Sequence, residues 1–143
     1  MMFELKTHNS KAVISSEGAE LKSLVIGGRE IMWCADPAFW GKTSPVLFPA
    51  IGNVKNNKTV IGGKEVSLSK HGFARDNTFV TVRQSGNSLI LAYNYTPIKK
   101  SYPYSVQLAL QYNLFDDRIE IGYSVYNPGY DRIPFCIGAH PAI

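Results

Sequence analysis

The sequence predicts an all-β fold, an antiparallel β-sandwich, and three observations carry that prediction. Short β-prone runs alternate with turn residues from end to end, and the longest hairpin shows period-two alternation. No window sustains apolar residues at i, i+3, i+4 and i+7 over three turns, so no amphipathic helix competes with the strands. Period two puts successive side chains on opposite faces, which suits a sheet buried on one face only.

The elements follow in order. "KAVIS" is closed by Glu17-Gly18, "ELKSLVI" runs to Gly27-Gly28, and "REIMW" runs to the Asp36-Pro37 turn. "KTVI" and "KEVSL" flank Gly62-Gly63, two β-prone runs joined by two residues that tolerate positive φ, which is a two-residue hairpin signal. "FVTVRQ", Ser85-Gly86-Asn87 and "SLILAYNYT" make a second hairpin. "YSVQLALQYNLF", Asp116-Asp117 and "RIEIGYSVYN" make a third, in which Ile119, Ile121, Tyr123 and Val125 fall on one face and Arg118, Glu120, Gly122 and Ser124 on the other. No repeat, low-complexity tract or linker interrupts this series, so residues 1–143 read as a single domain.

Residues 35–57 are poor strand material, with three prolines, two glycines and four Asn or Asp among bulky apolar residues. Such a segment either carries function on loops held by a rigid scaffold or simply covers one end of the sandwich.

Composition narrows the class. With 45% hydrophobic and 12% aromatic residues, 143 residues can build a core, and disorder is excluded. The net charge of +4 comes from scattered residues rather than a basic run or stripe, which argues against nucleic-acid binding. The opening "MMFELKTHNS" has no basic-then-apolar leader, and nothing approaches the roughly 18 consecutive apolar residues of a membrane span, so the reading is a soluble cytoplasmic protein with no membrane partner. Cys34 and Cys136 sit in apolar surroundings without Cys-x-x-Cys spacing and read as buried thiols rather than a disulfide or a zinc site.

Two histidines are candidates for chemistry, since imidazole titrates near neutral pH. His71 lies in "SKHGFARD", where Gly72 frees the backbone behind the imidazole and Arg75 follows four residues on, its guanidinium suited to hydroxyls or a carboxylate. The residues alone leave it either a loop histidine bonded to backbone or a functional group. His140, in "CIGAHPAI", follows an apolar run and is expected to be largely buried, as a structural or a catalytic imidazole. His8 reads as an exposed turn residue. Trp33, Phe39, Trp40, Tyr102 and Tyr104 could stack on sugar faces or fill the core. There is no phosphate loop, metal-ligand spacing or nucleophile elbow, so no metal and no cofactor is expected.

Taken together, "ELKSLVIGGREIMWCADPAFWGKTSPVLFPAIGNVKNN", "LSKHGFARDNTF", "YPYSVQLALQYNL" and "IPFCIGAHPAI" resemble, in order, the N-terminal half of the aldose 1-epimerase (galactose mutarotase) family, in particular its LacX-like branch. The resemblance runs over residues 18–143, and "HGFAR" is also similar to a motif of hexose-6-phosphate mutarotases. It implies a galactose mutarotase-like supersandwich, here an incomplete half, that interconverts the α and β anomers of a hexose or related sugar. By resemblance His140 is the acid that protonates the ring oxygen, and His71 holds and polarises the sugar. Arg75, Asn53 and Lys55 are then substrate-binding residues, Lys55 more loosely because lysine is not arginine at a bidentate site. The implied ligand is a monosaccharide or a sugar phosphate.

One part of the family pattern is missing. The glutamate base of that family lies in its C-terminal half, and Glu4, Glu17, Glu20, Glu30, Glu65 and Glu120 match no such motif. A half sandwich exposes strand edges, so the expectation includes self-association or a missing C-terminal half. A different class stays open, a non-catalytic carbohydrate-binding sandwich.

Overall fold

A computed structural model gives the fold and describes residues 1–98 and 100–143. In chain order, β1 (Met2–Lys6), β2 (Ser10–Ser15), β3 (Leu21–Ile26) and β4 (Arg29–Glu30) form one antiparallel sheet. Their alternate residues Phe3, Leu5, Ala12, Ile14, Leu21 and Leu24 are buried, as period two requires. β4 is shorter than "REIMW" suggests. The Glu30 carboxylate accepts the N–H groups of Leu24 at 2.9 Å and Met32 at 3.0 Å, which fills donors a longer ladder would use.

β5 (Val46–Leu47) interrupts the irregular stretch, and β6 (Lys58–Ile61) pairs with β7 (Lys64–Ser67) around Gly62-Gly63 as expected. β8 (Val80–Gln84), β9 (Ser88–Tyr95), β10 (Val106–Leu114) and β11 (Ile119–Tyr126) make a second antiparallel sheet in the order β11-β10-β9-β8. In β10, Val106, Leu108, Leu110, Tyr112 and Leu114 are buried, and the last four face Val125, Tyr123, Ile121 and Ile119 across the ladder with β11. That β11 row is only partly covered, because β11 is a sheet edge. β12 (Gly138–Ala139) pairs with β5, apart from the two larger sheets.

Side chains from both sheets join one buried cluster that includes Leu5, Ile14, Leu89, Leu91, Leu108 and Leu110. The Tyr112 hydroxyl donates to the Ala19 carbonyl and ties β10 to the β2–β3 turn, while burial pushes its phenol far above the ordinary range. At one end of the core, Phe73 stacks on Tyr95 at 4.2 Å and meets Phe48 edge-on at 6.0 Å. The all-β, antiparallel fold is therefore the one the sequence predicts. Among the described residues, no helix is long and apolar enough to cross a membrane.

Three expectations about burial fail. Cys34, Cys136 and His140 are all exposed, and so are Phe135 and Ile143. An apolar run can be covered on one face only: within residues 134–143, Ile137, Gly138 and Ala142 are half-buried and the rest exposed. Hydrogen bonds hold that segment instead. Cys136 N–H donates to the Pro49 carbonyl at 2.9 Å, Ala142 N–H to Thr43 at 2.8 Å, and the Tyr102 hydroxyl to Pro134 at 2.9 Å. Cys34 lies on the irregular loop after β4, where nothing packs over it.

Candidate active site

Three of the sequence-predicted residues converge. His71, Arg75 and His140 line one cleft of about 110 Å³ together with Trp40, Pro45, Leu47 and Lys70. Enclosed ligand pockets run to roughly 300–1,000 Å³, so this cleft is a wall of a binding site rather than a whole one. Among the described lining residues, four are basic or imidazole side chains and none is a carboxylate.

The loops that carry His71 lock it in place. Its backbone has φ +67°, rare for a side chain with a Cβ, and both of its peptide groups are bonded. Its N–H donates to the Gly52 carbonyl at 2.9 Å, and its own carbonyl accepts Phe48 N–H at 3.1 Å. Gly72 behind it is obligatory. It has φ +75°, and a Cβ there would lie 2.2 Å from the Phe48 carbonyl oxygen. That same oxygen accepts the N–H groups of Phe73 at 2.9 Å and Ala74 at 3.2 Å.

The imidazole is fixed as well as the backbone. Gly52 N–H donates to His71 Nδ1 at 3.0 Å, so the proton of the neutral ring sits on Nε2. Desolvation, followed by the charges of Arg75 and Lys70 and by His140, holds the His71 pKa below its ordinary value. His71 therefore presents an N–H donor from a neutral ring.

Arg75 leaves a short 3₁₀ turn, Ala74–Asp76, that packs under the β2–β3 turn. Gly18 permits this approach, since a Cβ there would meet the Arg75 carbonyl at 2.7 Å. The guanidinium is mostly buried, its Nε has no hydrogen-bond partner, and its nearest carboxylate, the exposed Asp76, is 3.7 Å away. Nε is itself closed off from solvent, so it is the terminal nitrogens of Arg75 that could meet a ligand.

His140 follows β12 directly and packs against Trp40, with ring centroids 4.9 Å apart. The two imidazoles meet edge-on, with centroids 6.4 Å apart. Asn53 and Lys55 do not join this group. They are exposed on the loop whose Gly52 holds His71, and neither lines the cleft. Of the aromatics, Trp40 lines the cleft, Tyr102 is fully buried and Phe39 is exposed.

The comparisons with known proteins bear on the family and the fold. The family model described as Aldose 1-epimerase matches residues 1–143. The chain belongs to the aldose 1-epimerase family. It is 29% identical over 150 residues to the plasmid-encoded protein LacX of Lactococcus lactis subsp. lactis, covering 99% of this chain and 50% of that protein. The chromosomal LacX of the same organism gives 28%, with the same coverage. A solved galactose mutarotase related enzyme from Lactobacillus acidophilus superposes with a TM-score of 0.93 at 33% identity, over 99% of this chain and 48% of that one. A galactose mutarotase-like protein from Lactobacillus casei gives 0.93 at 32%, over 99% and 49%. The chain spans about half the length of the curated relatives it matches.

Within this aldose 1-epimerase family member, no role is read from the sequence for the cleft residues Lys70, Pro45 and Leu47, and Trp40 is not singled out. Lys70 directly precedes His71 and could have been found from its place in "SKHGFAR". Trp40 was one aromatic among several, and only the fold shows it against His140.

Proposed function

We propose that the cleft is the acid-bearing, sugar-holding side of an anomer-exchanging site, acting on a hexose or related sugar. Anomer exchange needs a base to take the proton of the C1 hydroxyl, the role of the glutamate that the family carries in its C-terminal half and not of any described residue lining this cleft, while an acid protonates the ring oxygen as its bond to C1 breaks. The open aldehyde rotates about C1–C2 and closes to the other anomer. His140 gives its proton to the ring oxygen, and His71, neutral with Nε2–H outward, donates to a sugar oxygen. Arg75 takes further oxygens, and with Lys70 it suits a phosphorylated sugar too. The carrying observation is the pair of imidazoles 6.4 Å apart in one cleft with Arg75. Each positioned acid or base contributes on the order of 10²–10⁴-fold.

The second reading is a carbohydrate-binding sandwich without turnover, favoured by the lack of a carboxylate among the described lining residues. Saturation-transfer NMR of anomer exchange separates the two. Acceleration by the protein that disappears in His140→Ala supports the isomerase. Sugar-induced shifts of the His71 ring without any acceleration support the binder, and unchanged acceleration in His140→Ala removes His140 as the acid.

A further inference from the structure

Outside the cleft, the described residues hold one deeply buried charged side chain with no part in the proposed chemistry. Glu20, between the β2–β3 turn and β3, is 5% exposed. Its Oε1 accepts Thr43 N–H at 2.6 Å and Ser44 N–H at 3.1 Å, and it lies 2.9 Å from the Thr43 hydroxyl, whose one proton it shares with the Leu21 carbonyl at 2.6 Å. Lys22 Nζ stands 3.3 Å from the other oxygen. A buried carboxylate is costly unless so satisfied, and charge-assisted bonds of this kind are the strong ones.

The segment gripped by Glu20 makes most of the backbone contacts that flank His140, the other being Trp33 N–H on the Ala142 carbonyl at 3.0 Å. Leu47 and Val46 pair with Gly138 and Ala139 just before the histidine, and the Thr43 carbonyl accepts Ala142 N–H at 2.8 Å just after it. Trp40, three residues ahead of Thr43, packs on the ring itself. No strand of the two larger sheets pairs with β5 or β12.

We propose that Glu20 is the positioning residue for His140, acting through Thr43 and Ser44 to set residues 43–47, and with them the imidazole, against the cleft. The catalytic meaning of this rests on the reading of His140 as the acid; the positioning itself does not. His71 is held mainly from elsewhere: its N–H and its ring are bonded to Gly52, and only its carbonyl meets Phe48, the residue that follows this segment.

The test is amide exchange and ring NMR on the 143-residue protein, comparing Glu20→Ala, Glu20→Gln and Thr43→Val. In Glu20→Ala the Ala142 amide exchanges about tenfold faster or more and the Trp40–His140 ring contacts fade, while the His71 amide stays within about twofold. Glu20→Gln, which keeps one acceptor oxygen and no charge, restores part of both signals. Thr43→Val keeps the backbone donor and loses the hydroxyl, so it gives an intermediate effect at Ala142 alone. Unchanged Ala142 protection and ring contacts in both Glu20 variants overturn the proposal. So does equal loosening around His71 and His140, which marks Glu20 as general scaffold. If Glu20→Ala does not fold, Glu20→Gln and Thr43→Val decide by the same readouts. Loss of the acid reading shows separately, as anomer exchange indifferent to His140→Ala.

Discussion

The His71 side of the cleft is gripped by the core, whereas the His140 side rests on a two-residue strand pair tied back through one buried carboxylate. Beneath His71, the fully buried Phe48 gives its carbonyl to Phe73 and Ala74, and Phe73 is stacked on Tyr95. His140 has Trp40 on one side and solvent on the other. The two sides suit the roles proposed for them. A residue that holds and polarises a sugar gains from a fixed donor, while an acid that gives and regains a proton must be reached by water.

The most damaging way to break this contrast is Gly72→Ala. The new methyl would sit 2.2 Å from the Phe48 carbonyl oxygen at a φ of +75°, and neither backbone can move without uncoupling the other. A loss of more than about 3 kcal/mol is expected, read from the urea midpoint. An unchanged midpoint would mean the His71 seat is free to shift, and the two sides would no longer differ in kind.

Acid should separate the two sides by pH window. The His71 pKa is depressed from 6.5, so the unfolded chain takes up that proton first; stability from the neutral ring is complete above 6.5 and is lost as pH falls through the folded value. Burial alone would raise the Glu20 pKa, but the bonds from Thr43 and Ser44 and the charge of Lys22 outweigh it and hold it below 4.5. Its contribution is complete above 4.5 and is lost only as pH falls further. Urea midpoints against pH should decline in both windows, and Glu20→Gln should flatten the lower one in part, since Glu30 and Asp116 are also held low. An equal effect of Glu20→Gln in both windows would contradict independent seats.

The strands were legible because burial on one face imposes period two, and the Gly62-Gly63 hairpin because positive φ leaves few residue choices. The cleft was legible only in part. His71 and Arg75 share one short motif, but Glu20 and Thr43 are 23 residues apart, and nothing in either neighbourhood names the other. One signal was available: Thr43-Ser44 before Pro45 puts two N–H groups and two hydroxyls in a row, and if buried they need an acceptor. The exposed Cys136 and His140 show the limit of reading apolar runs, since hydrophobic neighbours do not reveal whether a segment is covered on one face or two.

Tyr102→Phe probes the link between the regions at smaller cost. The ring is fully buried, and its hydroxyl donates to Pro134 at the start of the segment that carries His140. Burial, then Tyr104 and Tyr95, pushes its pKa up to about 12, so it stays a neutral donor across ordinary conditions. Removing the hydroxyl keeps the ring packing and should cost about 1 kcal/mol. Amide exchange should quicken at Cys136 and stay constant at His71; acceleration at both would show that the aromatic core couples the two sides.

The smallest expected effect tests what resemblance added beyond structure. Asn53 and Lys55 were assigned to the sugar by family likeness, yet both are exposed and stand outside the cleft lining. Their loop contributes through backbone, by the Gly52 N–H on His71 Nδ1 and the Gly52 carbonyl on His71 N–H, and a side-chain truncation leaves both bonds intact. Asn53→Ala and Lys55→Ala should each change stability by less than about 0.5 kcal/mol. Sugar-induced shifts at His71 should titrate with midpoints within about twofold of the parent protein, because neither side chain reaches the wall formed by Arg75 and the two imidazoles. A tenfold weakening in Lys55→Ala alone, with stability unchanged, would place a bound sugar across the loop rather than against that wall. Recognition would then extend toward the more rigid of the two sides.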